Sequence, residues 1–127
     1  MSVQKASVEY VDDHFVGKDD FGSIELDWFE KGLTPIKALL ISAGACCLMD
    51  VVVILRKRKV EYSVLKADVE AEKEDDPSRL TKLHIVFTTD VPLNEMERAV
   101  KLSVERYCTV INSIKGVTEV TTEIVTV

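Results

Sequence analysis

The chain has 127 residues, of which 46% are hydrophobic and 30% charged, with a formal net charge of −6. That is enough apolar material for one core, a single domain over residues 1–127, and too much for a disordered chain. The acidic balance argues against a nucleic-acid or anionic-membrane partner, and three cysteines argue against a secreted disulfide scaffold, so a reducing, cytoplasmic setting is expected.

Met1 to Ala6 is polar and leads into acidic residues, so no signal peptide is expected there. Residues 6–29 read as three short strands. Gly17 and Gly22 punctuate them, and Ile24 to Trp28 alternates with period two. Gly32 ends this part. Thr34 offers a helix N-cap and Pro35 a first helical residue, which predicts a helix from Pro35 to about Lys57. Its stretch from Ile36 to Leu55 is long enough to test as a membrane span. Asp50 inside it costs roughly 2.5–3.5 kcal/mol on insertion, and the strands elsewhere need a cover. A core helix, buried on most sides, is therefore expected, with Ala43, Gly44 and Ala45 allowing close approach of its neighbours.

Val60 to Glu74 alternates, with Leu65, Ala67, Val69 and Ala71 on one face and Lys66, Asp68, Glu70 and Glu72 on the other. A charged turn at 74–78 leads to a second strand, with Leu83, Ile85 and Phe87 inward. His84 falls on its polar face and reads as solvated. Pro92 stops the strand. Asn94 with Glu97 resembles a capping box, and Met96, Val100, Val104, Tyr107, Cys108 and Ile111 recur at helical spacing. Gly116 closes that helix, and Val117 to Val127 is a last strand. The order βββαββαβ defines an α+β fold, a largely antiparallel sheet wrapped around a long central helix.

Chemistry has few places to come from. No phosphate-cradling glycine loop, metal-spaced His or Cys pair, or serine-nucleophile elbow is present, so no metal or bound cofactor is expected. The thiols remain. Cys46 and Cys47 lie mid-helix, and Cys108 lies on the apolar stripe of the second helix, so Cys46 and Cys108 can meet in the core. The alternative is that all three are small buried apolar residues.

Several motifs resemble the OsmC/Ohr family, in its OsmC-like branch of YhfA-type redox proteins. They are Gly32-Leu33-Thr34-Pro35, the run Leu39 to Cys46, and the run Met49 to Lys57. Arg79 to His84, Glu97 to Val100, Leu102-Ser103, Glu105 to Val110 and Val117 to Val120 extend the resemblance over most of the chain. It implies an intertwined homodimer with active thiols near the subunit interface. It implies that Cys46 is the peroxidatic cysteine and Cys108 the resolving one, acting on organic hydroperoxides in oxidative or osmotic stress defence. An apolar pocket with Leu40, Met49 and Val110 would hold the substrate. The first thiolate becomes a sulfenic acid, which condenses with the second thiol into a disulfide. An external dithiol reductant of lipoyl type then restores both.

The family's peroxidase branches place an activating arginine in the N-terminal strands and a glutamate after the helix-starting proline. This chain has no arginine before Arg56, and Ile36 follows Pro35. Lys18, Arg98 or Arg106 would have to supply the cation. A second reading therefore stands beside the peroxidase, a non-catalytic OsmC-like dimer that binds a small apolar ligand or partner. Cys47 points about 100° round the helix from Cys46 and is expected to pack elsewhere. Asp50 is expected to be structural, bonded to a strand, a partner chain or Arg56.

Overall fold

The computed structural model describes residues 1–127 and divides into two compact units, residues 1–39 and 40–127. The N-terminal unit is an antiparallel meander of β1 (Ser7–Val11), β2 (His14–Lys18) and β3 (Ser23–Leu26). Val11 pairs with His14, so only Asp12 and Asp13 form the first turn, with φ of 51° and 63°. Two left-handed residues give the turn whose twist matches a hairpin, and aspartate tolerates that region better than most side chains. Asp19 closes the second turn, its Oδ1 accepting the N–H groups of Phe21 and Gly22. Tyr10, Phe15 and Trp28 form an aromatic cluster, with ring centroids 5.0 to 6.5 Å apart.

The long helix α1 spans Pro35–Lys57, within the predicted limits, and its first five residues fall in the N-terminal unit. Thr34 Oγ1 accepts the Lys37 N–H at 3.3 Å, the cap that its position predicts.

In the C-terminal unit, α1 packs with β4 (Leu65–Asp75), β5 (Ser78–Thr89) and β6 (Glu119–Thr126). β5 is central, antiparallel to β4 and parallel to β6. The inward faces are the predicted ones: Leu83, Ile85 and Phe87 are buried on β5, and Leu65, Ala67, Val69 and Ala71 are half-buried on β4. Gly44 lies where α1 comes nearest the sheet. A Cβ there would stand 3.1 Å from Val69 Cγ2 and 3.8 Å from Ala67 Cβ. His84 is not simply solvated, since Nδ1 lies 2.7 Å from Thr121 Oγ1 and Nε2 3.3 Å from Glu123 Oε1 on β6.

Three expectations change. α1 is not buried on most sides: Ala43, Gly44, Cys47, Val51 and Leu55 form its buried stripe, while Ile41, Met49 and Val53 stand exposed. A single three-stranded sheet covers only one face of a helix. By length and hydropathy α1 would also suffice to cross a membrane, a test that core helices pass as well. The second helix starts at Leu93, one residue before Asn94. Pro92 takes the N-cap position, with no side-chain cap, and its carbonyl accepts the N–H groups of Glu95 and Met96. Nor does that helix run unbroken to Gly116. α2 (Leu93–Leu102) passes into a π-helical turn (Ser103–Tyr107), the chain extends at Cys108, and α3 (Thr109–Ile114) begins anew. The wider turn adds a residue to the repeat, which leaves Tyr107 exposed and returns Cys108 to the core.

Candidate functional site

The three thiols converge at the contact between α1 and the segment that follows the π-turn. The Cys108 N–H reaches back five residues to the Ser103 carbonyl at 2.8 Å, the hydrogen bond that defines the π-turn. The extra residue sets both side chains, Ser103 and Cys108, into the core, and neither exposes any surface. Cys47 is likewise fully buried, whereas Cys46 is half-buried.

Cys47 Sγ and Cys108 Sγ are 3.5 Å apart and hydrogen bonded. This corrects the expectation that Cys47 packs elsewhere. The buried stripe of α1 runs through 43, 47 and 51, so Cys47 rather than Cys46 points most directly inward. Cys108 faces both thiols of α1 and interacts with Cys46 as well as Cys47. All three are free cysteines.

Burial raises the pKa of the Cys47 thiol above its ordinary value, against the opposing effect of Cys108 and Ser103 beside it. Burial likewise raises that of Cys108, and the Ile111 backbone N–H at the start of α3 works against the shift. The thiolate is the nucleophilic form, so these two are poor first nucleophiles at neutral pH. Cys46 is the one thiol of the three with exposed surface.

Asp50 does not pair with a strand or with Arg56. Its Oδ2 accepts a hydrogen bond from the Ser103 hydroxyl at 2.9 Å. Asp50 also borders a cavity of about 430 Å³ lined by Val53, Ile54, Lys57, Arg98, Leu102 and Tyr107, with Arg58 at its edge. Among the candidate cations, Arg98 lines this cavity and Arg106 stacks 5.6 Å from the centre of the Tyr107 ring. Lys18 belongs to the N-terminal unit. The expected pocket of Leu40, Met49 and Val110 is not assembled as such: Leu40 and Val110 pack against the core, and Met49 is exposed.

Ser103 was not singled out by sequence reasoning. The signal was present, because Ser103 is a hydroxyl three and seven residues beyond Val100 and Met96, on an otherwise apolar stripe. Cys47 carried a signal too, four residues from both Ala43 and Val51.

A helix that brings one accessible thiol and one buried thiol to a third just after a π-turn defines a thiol-bearing α+β protein. The family model described as OsmC-like protein matches residues 29–123. The chain belongs to the OsmC-like family. Protein YhfA of Escherichia coli K12 is 33% identical over 85 residues, covering 64% of this chain and 63% of its own, so the match spans a little under two thirds of that relative. The OsmC-like protein of Mycoplasma pneumoniae superposes with a TM-score of 0.88 at 19% identity, over 99% of this chain and 98% of its own. An organic hydroperoxide resistance protein of Elizabethkingia anophelis superposes with a TM-score of 0.73 at 15% identity, over 100% and 98%. At such identities these two structures show the shared fold.

Proposed function

We propose that this protein is a thiol-dependent peroxidase that reduces organic hydroperoxides, with Cys46 as the peroxidatic and Cys108 as the resolving cysteine. The observation that carries this reading is that Cys46, the one thiol with exposed surface, adjoins Cys47, whose sulfur lies 3.5 Å from that of the buried Cys108. Membership of the OsmC-like family, and a fold shared with a hydroperoxide resistance protein, support it.

The Cys46 thiolate attacks the distal peroxide oxygen. The O–O bond breaks, the alcohol leaves, and Cys46 becomes a sulfenic acid. Cys108 attacks that sulfur and water leaves, so the two-electron oxidation ends as a disulfide. An external dithiol of lipoyl type restores both thiols by exchange. The setting is cytoplasmic, in defence against oxidative stress. Two copies pair through the exposed apolar surface of α1, where Ile41, Met49 and Val53 lie uncovered.

The test is one equivalent of cumene hydroperoxide on the reduced protein, followed by thiol counting. The expected result is rapid loss of two thiols per chain, abolished by Cys46→Ser. Oxidation no faster than that of free cysteine would overturn the reading. One observation favours a second reading, a non-catalytic ligand binder: the cavity beside Asp50 combines apolar walls with Lys57 and Arg98. Binding of a small apolar acid there, by a protein inert to hydroperoxide, would select it.

A further inference from the structure

Cys108 has two thiols in front of it, and the two differ in surroundings. Cys46 is half-buried; Cys47 and Cys108 are wholly buried, with their sulfurs 3.5 Å apart. A disulfide bond is roughly 2 Å long, so closing this pair takes a sulfur displacement of about 1.5 Å, within the reach of small χ1 rotations. We propose that Cys47 is a relay thiol, and that the stable disulfide of the oxidised protein is Cys47–Cys108, with Cys46 returned to its free form. This rests on the reading of Cys46 as the thiol that peroxide meets first.

The chemistry balances without a further oxidant. The hydroperoxide supplies the two-electron oxidation that makes the Cys46–Cys108 disulfide. Cys47 then attacks Cys108 Sγ. The Cys47–Cys108 bond forms, the Cys46–Cys108 bond breaks, and Cys46 leaves as a thiolate that takes up the proton Cys47 has lost. The exchange is isoelectronic.

Burial gives it direction. A disulfide has no proton to lose and no charge to hydrate, which suits two sulfurs with no exposed surface. A free thiol is better placed where water reaches it, and among the three that position is Cys46. Attack on the buried disulfide by a reductant in solution is blocked, so reduction must run the exchange backwards: Cys46 attacks Cys108 Sγ, the Cys46–Cys108 bond re-forms, Cys47 leaves as the thiol, and the reductant then meets the accessible Cys46 sulfur. Adjacency on α1 makes this possible, since Cys46 and Cys47 are consecutive residues and Cys108 interacts with both.

The test maps the disulfide and the remaining free thiol in the whole chain. After one equivalent of cumene hydroperoxide, iodoacetamide traps free thiols. Trypsin then leaves both α1 cysteines on one peptide, 38–56, and Cys108 on another, 107–115. Fragmentation between residues 46 and 47 assigns the label. The expected result is alkylation at Cys46 with the disulfide at Cys47–Cys108. In Cys47→Ser the disulfide becomes Cys46–Cys108 and no alkylatable thiol remains. Label on Cys47 in the unsubstituted protein overturns the proposal. A second arm uses diamide on the unsubstituted protein, which oxidises the accessible Cys46 and needs no peroxidase activity. Cys47–Cys108 with an alkylatable Cys46 supports the proposal, and a lasting Cys46–Cys108 disulfide overturns it. A protein inert to hydroperoxide that diamide still carries to Cys47–Cys108 retains the relay and loses only the peroxidase reading.

Discussion

The Ser103 hydroxyl donates to Asp50 Oδ2 across 2.9 Å, tying the middle of α1 to the first residue of the π-turn. Ser103 is wholly buried, so its hydrogen bond is made where water cannot replace it. The same residue supplies the carbonyl that holds the Cys108 N–H. Ser103 thus fixes the segment carrying Cys108 to the helix carrying the other two thiols. Ser103→Ala removes the donor and leaves the carboxylate short of a partner. The expected loss is about 1–3 kcal/mol in urea unfolding. Asp50→Asn keeps a carbonyl acceptor for the same hydroxyl and should lose less. Equal losses for the two would contradict this account.

Asp90 organises the connection between α1 and β4. Its carboxylate accepts the Ser63 N–H, 3.0 Å from each oxygen, and the Val64 N–H at 3.0 Å. Those backbone donors hold its pKa below the usual carboxylate value. A depressed folded pKa means that the unfolded chain binds more protons near pH 4. The stabilisation is fully present above the unfolded value and is lost as pH falls through the folded one. Asp90→Asn should lower Tm by a few degrees at pH 7 and by less at pH 3. A Tm difference that is the same at both pH values would show that ionisation plays no part.

The close approach at Gly44 sets a size limit that thermal or urea unfolding can read. An added Cβ meets Val69 Cγ2 at 3.1 Å, a flexible side-chain atom rather than backbone. Alanine also gains roughly 1 kcal/mol of helix propensity over glycine. Gly44→Ala should therefore fall within about 1 kcal/mol of neutral. Gly44→Leu overpacks the contact and should cost about 1–3 kcal/mol or more. Val69→Ala, which removes the opposing methyl, should soften the leucine penalty; failure to do so would place the clash elsewhere.

The limits of α1 and the inward faces of β4 and β5 were legible because caps and periodicity are local. Thr34 and Pro35 mark the helix start by chemistry that needs no tertiary context, and alternation from Leu65 to Ala71 fixes a strand face wherever the strand lies. The π-turn was not legible. Met96, Val100, Val104 and Cys108 keep a spacing that fits an unbroken helix, and only packing decides that one residue is looped out. The same gap hid the Cys47–Cys108 contact. A family motif points to Cys46, whereas the inward direction is set by which stripe of α1 meets the sheet. That stripe is ambiguous in a helix that is apolar nearly all round.

The buried thiols make a final prediction at alkaline pH. Burial is the leading reason that Cys47 and Cys108 both ionise above their ordinary value in the folded protein. An unfolded cysteine titrates near about 8.5. Below that value both states hold the protons, and the full stability is present. As pH rises past it, the unfolded chain releases protons that the folded one retains, so the unfolded state binds fewer and stability falls. Urea midpoints of the reduced protein should therefore decline between about pH 8.5 and 10. Cys108→Ala should start from a lower midpoint at pH 7, because it trims a buried side chain, and should then decline less steeply. A Cys108→Ala decline as steep as that of the parent protein would show that burial of this thiol does not set the slope.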